Sequence, residues 1–313
     1  MESFCSVKLL FPSFSELRYN SYKKKQSMFK EKNVVIQLDT KTVYSFMDSL
    51  IPIKKYVQKA KDLGYSHLGM MDVDNLYGAY HFLEEAESAG LQPLLGLELS
   101  LIKAEQELHL RLLALDSQGY RNLMKVSTLK MMGQKNWEDF QHLFKGLAVI
   151  VPAFDGVADL DLGLDFYIGV FPATPQQEFG RPTLPLHTVR YFDRGDLETL
   201  QMLRAIRENA SLREIGSLPN HEFLLAPDAL AGAFKETFPE SLANLEKLVR
   251  HVHYDINREL KLPRFNRERS AVEELRERSE AGLKKRGLTG KLYQERLDQE
   301  LDVIHQMGFD DYF

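Results

Sequence analysis

The chain has 313 residues, 44% hydrophobic and 27% charged, with a formal net charge of −5 and a pI near 6.0. That composition suits a soluble globular protein of one large domain or two smaller ones, and the acidic balance excludes a body built mainly to grip nucleic acid. The single cysteine, Cys5, excludes an intrachain disulfide or a cysteine-based zinc site, and no run of about 18 apolar residues exists to span a bilayer.

The first 27 residues place the lysines of YKKKQS after the apolar LLFPSF, which is not the order of a secretory signal. They read as a mobile tail or an upstream extension, with Met28 as an alternative start and a reducing cytoplasm as the expected compartment. From Asn33 the pattern alternates. The strand VVIQL leads to a helix over 50–63, with Ser49 as N-cap, Ile53, Tyr56, Val57 and Ala60 on one apolar face, and Gly64 as its stop. HLGMMD (67–72) reads as a short buried strand, 78–89 as a second helix ending at Gly90, and LLGLELSL as the next strand.

Two successive strand–helix–strand units predict parallel strands with helices outside and strand C-termini gathered on one face. HLRLLAL, GLAVIVP, DFYIGVF and PTLPLHTVRYF continue the strands, and GYRNLMKVSTLKMM and RGDLETLQMLRAIREN the helices. After Asn209 strand-like runs nearly vanish. Three helical stretches remain, PESLANLEKLVRHV, AVEELRERSEAGLKKRG and KLYQERLDQELDVIHQMG, with Pro263 marking a linker between the first two. The expectation is a distorted α/β barrel over 28–215, a helical extension and linker over 216–270, and a helical segment over 271–313. The final GFDDYF reads as the edge of a further domain.

The gathered strand ends carry the candidate chemistry. Asp39 and Lys41 stand two apart on one strand and so reach one common site. Asp72 and Asp74, then Glu98, then His109, and finally His187, Thr188 and Arg190 join them on later strands. Converging carboxylates need neutralising by a divalent cation or by basic side chains. Unit charges about 4 Å apart at an effective dielectric of about 20 interact by roughly 4 kcal/mol, and a divalent ion repels a neighbouring ammonium about twice as strongly. Lys41 and Arg190 therefore disfavour a multinuclear metal site; the bland alternative has Lys41 reaching outward to water.

Other signals are weaker. His251 and His253 stand two apart on the predicted helix and point to different faces. RGLTGKL lacks the glycine spacing of a phosphate loop. The basic residues of 264–286 are interleaved with glutamates and read as a solvated helix face.

Taken in order, QLDTKTVYSFMDS, MMDVDNLYGAYHFLEEAESAGLQPLLGLEL, LLALDSQGYRNLMKVS, LPLHTVRYF and ELDVIHQMGFDDYF resemble the N-terminal region of the bacterial DNA polymerase III alpha subunit family. The resemblance covers Met28 to Phe313. It implies a PHP-type distorted (β/α) barrel, which in some members holds a metal cluster with phosphoesterase or proofreading activity, followed by a mainly helical segment whose residues 271–313 begin a polymerase palm.

Carried over by position, Asp39 and Lys41 stand where metal-competent relatives have His-x-His, and Asp72 with Val73 where they have Asp-His. Glu98 and His109 match, Ala153 takes the place of a cysteine, and Thr188 and Arg190 replace Asp-x-His. The resemblance thus implies a degenerate cleft of Asp39, Lys41, Asp72, Glu98, His109 and Arg190, with no catalytic residue and no metal ligand set. Lys41 and Arg190 are expected to pair with Asp39, Asp72 and Glu98 where metal bridged them. The implied role is a scaffold and docking surface in a replicative polymerase, with magnesium in the parent's palm and no cofactor here. The implied partners are the rest of the polymerase chain, DNA through the parent enzyme, and replisome subunits, with no membrane. The alternative is a metal-dependent phosphoesterase or exonuclease using a reduced site of Asp72, Glu98 and His109.

Overall fold

The structure, a computed structural model, describes residues 36–250, 252–256 and 263–313. The expected tail, Met28, His251 and part of the expected linker lie outside the described residues. Two compact units are present, one running to Asp255 and one from Ile256 to Phe313.

The first unit is built on a seven-stranded sheet whose strands lie side by side in chain order. They are β1 (Ile36–Gln37), β2 (His67–Val73), β3 (Gln92–Lys103), β4 (Gln106–Ala114), β5 (Leu147–Pro152), β6 (Tyr167–Val170) and β7 (Thr183–Pro185). The sheet curls until its edges meet: Thr40 and Val189 form a parallel bridge, with Lys41 N donating to Val189 O at 2.9 Å and Val189 N to Asp39 O at 2.9 Å. This closure is the expected distorted barrel.

β2 is buried on both faces, as a parallel strand covered by helices must be. Leu68, Met70 and Met71 are fully buried there, and each apolar side chain so placed contributes about 1.5–3 kcal/mol. Gly69 is needed in that strand: a Cβ on it would stand 1.8 Å from Leu38 O, so only glycine lets the chain leaving β1 cross this close.

Helices α1 (Ile53–Leu63) and α2 (Ala79–Ala89) follow β1 and β2 as predicted, each stopped by a left-handed glycine, Gly64 and Gly90. The expected N-cap differs. Pro52 occupies that position, while Ser49 Oγ donates to the carbonyls of Lys41 and Arg190 at 2.7 and 3.0 Å and accepts from Ile51 N at 3.1 Å, pinning the loop instead.

The larger correction concerns β4, which runs antiparallel to both β3 and β5. β3 and β4 form one long hairpin, turning at Ala104 and Glu105 with φ of +48° and +66°, the backbone of a two-residue type I′ turn. Neither residue is a usual turn former, so the hairpin gave no signal in the sequence. Helices α3 (Ser117–Met131, N-capped by Asp116), the four-residue α4 (Trp137–Phe140) and α5 (Leu197–Glu208) complete the cover.

The sheet unit also extends further than residue 215. After the short α6 (Leu212–Ile215), α7 (Pro227–Lys235) and α8 (Pro239–Val249) belong to it, and Asn244 of α8 donates to Thr183 O of β7 at 3.1 Å. α7 has no counterpart among the predicted helices. α8 ends at Val249, and His253, whose backbone N donates to Leu115 O at 3.2 Å, lies outside it. The second unit is a pair of helices, α9 (Ala271–Lys285) and α10 (Lys291–Gln306), with RGLTGKL supplying the turn between them.

Candidate functional site at the barrel mouth

Asp39 and Lys41 lie just past β1, where the backbone threads between β2 and the segment after β7, and both side chains are fully buried. Lys41 Nζ donates to Asp39 Oδ1 and reaches Glu98 Oε2 at 2.7 Å. Full burial of Lys41 rules out the outward-reaching lysine. Opposite Glu98, in the register of the β3–β4 hairpin, stands Arg111. Its Nε lies 3.3 Å from Asp39 Oδ2 and its Nη2 3.1 Å from Glu98 Oε2. Each cation thus touches both anions, and the four groups close into a neutral ring. Thr188 Oγ1 adds a donor to Asp39 Oδ2 at 2.7 Å.

Burial alone would push the Asp39 carboxyl up, but the Lys41 ammonium and Arg111 guanidinium outweigh it and hold the group well below the usual carboxylate range. Glu98 is lowered through the same opposition of burial against Lys41 and Arg111.

Asp72 is held by neutral donors rather than by an ion pair. Its oxygens accept from Thr42 N and Thr42 Oγ1, both at 2.6 Å, and from Ser45 Oγ at 2.7 Å. Burial raises its pKa, and these donors together with the nearby Lys41 ammonium only partly oppose the shift. The contacts tie the loop after β1 to the end of β2.

Arg190 is not in the ring. It pairs with Asp48 Oδ2 and lies 3.2 Å from Glu222 Oε2. Asp48 is also approached by Arg204 at 2.9 Å and Arg207 at 3.2 Å from α5. The expected partnership of Arg190 with Asp39, Asp72 and Glu98 is therefore corrected, because Arg111 holds that position. The reversal of β4 that sequence reading missed is what brings Arg111 in.

His109 lies on the same hairpin but exposed, its Nδ1 2.7 Å from Ser100 Oγ. Asp74 turns to Lys130, 3.6 Å away. His187 Nε2 contacts Phe223 O at 2.9 Å. The reduced set of Asp72, Glu98 and His109 is thus not brought together. Among the described residues no group of three or more His, Cys, Asp or Glu is placed to hold a metal ion. The divalent cluster that the resemblance attaches to some such barrels does not fit these residues. A fixed ammonium and a guanidinium stand between the carboxylates, and both oxygens of Asp72 are taken by protein donors.

Arg111 was visible in one respect: an arginine alternating with leucines in ELHLRLLAL must find anions if its neighbours are buried. Thr42, Ser45, Asp48 and Glu222 gave no comparable signal.

The PHP domain family matches residues 37–176. DNA polymerase III subunit alpha of Streptococcus pyogenes serotype M1 is 47% identical over 279 residues, 88% of this chain and 27% of the relative. The subunit alpha of Bacillus subtilis strain 168 is 27% identical over 320 residues, 89% of this chain and 29% of the relative. Among solved structures, an amidohydrolase from Chromobacterium violaceum overlays with a TM-score of 0.34 at 11% identity, covering 56% of this chain and 84% of that one. The chain spans 27% of the length of the streptococcal relative it matches. With a PHP domain over residues 37–176 and 47% identity across 88% of its length, the chain is a PHP-bearing segment of the kind found in DNA polymerase III subunit alpha.

Proposed function

We propose that this chain is the PHP region of a replicative DNA polymerase and acts there as a scaffold and docking surface, without hydrolytic activity of its own. The observation that carries the reading is the closed ring of Asp39, Lys41, Glu98 and Arg111. It ties β3 and β4 to the chain leaving β1 by fixed charges, at the point where a metal-dependent barrel needs open carboxylates.

The parent's activity in this reading is template-directed DNA synthesis, with magnesium held by aspartates of a palm that residues 271–313 begin. DNA is reached through that palm, other replisome subunits are further partners, and the compartment is the cytoplasm. No helix among the described residues is long and apolar enough to cross a membrane.

The test uses chain purified without chelator. Labelled single-stranded DNA is incubated with it and millimolar manganese or zinc, while thermal melting is followed with and without the same ions. The expected outcome is no nucleotide release and an unchanged melting temperature. Metal-dependent release that disappears in Asp39→Asn would overturn the proposal in favour of a phosphoesterase.

A further inference from the structure

Helix α3 carries two organised faces. The inner one is fixed to the sheet unit: Leu123 and Val126 are fully buried, and a Cβ on Gly119 would stand 1.9 Å from Gly146 O. Asn122 Nδ2 donates to Lys145 O at 2.8 Å and Lys130 Nζ to Ser100 O at 2.9 Å. The outer one consists of Arg121, Met124, Lys125, Thr128, Met131 and Met132, whose spacings of i, i+3, i+4, i+7, i+10 and i+11 put them on one side of the helix. Met124, Met131 and Met132 are 41%, 56% and 70% exposed. Thr128 commits its hydroxyl hydrogen to Met124 O at 2.9 Å, so the middle of the stripe needs no polar partner.

The same stretch is of one sign. Between Asp116 and Glu138 the chain has Arg121, Lys125, Lys130 and Lys135 and no acid, although its net charge is −5. Asp116 is spent as the helix cap, accepting from Gly119 N at 2.7 Å, and Lys130 turns inward, 3.6 Å from Asp74. Arg121 meets the neutral Gln118 Oε1 at 3.1 Å, and among the described residues neither it nor Lys125 has a carboxylate partner. Single exposed methionines are ordinary, but three on one rigid helix face beside unpaired cations form a patch. Methionine conforms to apolar partners of varied shape, and methionine and arginine are enriched where proteins meet. The stripe holds no aromatic residue to stack on a base or to anchor in a lipid interface, which favours a protein partner over nucleic acid or membrane.

We propose that the outer face of α3 docks an acidic amphipathic helix of another polypeptide, with its apolar residues laid on the methionines and its carboxylates over Arg121 and Lys125. Because α3 is already pinned along its inner face, little ordering opposes the contact. The inference rests on the docking role proposed above and gives that role a place on the molecule. The loss of hydrolysis is tested with different reagents, so either reading can fail alone.

Three synthetic peptides of about 20 residues separate the chemistry: an acidic helix with leucines at i, i+3, i+4 and i+7 flanked by glutamates, a twin with lysine for every glutamate, and an acidic scramble of the same composition. Fluorescent forms are titrated against the 313-residue chain. The acidic helix should bind saturably, at least about tenfold more tightly than the scramble or the lysine twin, and more weakly as salt rises from about 0.05 to 0.5 M. Met124→Ala combined with Met131→Ala should weaken it about tenfold without moving the melting temperature, since both side chains are exposed. Arg121→Glu combined with Lys125→Glu should invert the preference between the acidic helix and its lysine twin. Oligothymidine and phosphatidylserine vesicles serve as competitors, and light scattering follows self-association of the chain. No saturable binding of the acidic helix, equal binding of the scramble, or indifference to both double variants would each overturn the proposal. So would displacement of the helix by the DNA or the vesicles, or a dimer that the methionine variant dissolves.

Discussion

The barrel mouth and the α9–α10 pair are held by the same chemical groups under opposite conditions. In the mouth, the Lys41 and Asp39 side chains are 0% exposed and Arg111 is 8% exposed. In the helical unit, Arg276 and Asp298 bridge α9 and α10 at 40% and 47% exposure, and Arg296–Glu300 runs along α10. Exposed pairs are screened and lose side-chain freedom for small gain, whereas charges removed from water are committed: each survives only while its partner is present. The mouth is therefore a place where charge sets architecture, and the helical unit one where charge mainly keeps a surface in solution.

The sharpest way to break that contrast is to remove one cation from the ring. Lys41→Ala leaves Asp39 and Glu98 buried with Arg111 alone, and should cost about 3–5 kcal/mol in urea unfolding. The double variant with Arg111→Ala should be non-additive by about 0.5–3 kcal/mol, since both cations touch the same two carboxylates. Additive losses would mean the four groups do not act as one unit. A smaller effect is expected at Asp72, which depends on neutral donors. Thr42→Val removes the hydroxyl from Asp72 Oδ2 and should cost about 1–3 kcal/mol, the range for a buried acceptor left short of a partner.

Acidification separates the two aspartates by sign. Asp39 is held below the ordinary value of 3.8, so its stabilising contribution is complete above that pH and is lost as pH falls through it toward the folded value. Asp72 is raised above 3.8: the unfolded chain gives up its proton first, and stability is lost as pH rises from 3.8 to the folded value. Denaturation midpoints followed across this range should show that Asp39→Asn flattens the profile below pH 3.8 and Asp72→Asn flattens it above. The opposite assignment would show that the ring does not control Asp39.

Much of the mouth was legible because its information is local. Asp39 and Lys41 share a strand face, and that spacing alone placed the ammonium on the carboxylate. Glu98 followed from its place on β3, although that strand runs on to Lys103. Arg111 was hidden by topology: the direction of β4 depends on Ala104 and Glu105 adopting left-handed backbone, which neither residue type advertises. Arg190 was misplaced for a related reason, since its partners Asp48 and Glu222 lie in loops with no periodic pattern to read. The barrel boundary moved because α7 and α8 complete the sheet's cover, while their composition resembles the helices that follow.

The smallest expected effect lies in the helical unit and is the control on the whole comparison. Arg276 Nη1 contacts Asp298 Oδ1 across the helix pair at 2.5 Å, the geometry that in the mouth signals dependence. Exposure decides otherwise. On truncation the partner regains water instead of being stranded, and salt already weakens the attraction at ordinary ionic strength. Arg276→Ala should leave the melting temperature within experimental scatter of wild type both at 0.15 M salt and at about 1 M, where the Debye length falls to about 3 Å. A loss comparable to that of Lys41→Ala, and insensitive to salt, would show that contact distance rather than burial governs these ion pairs.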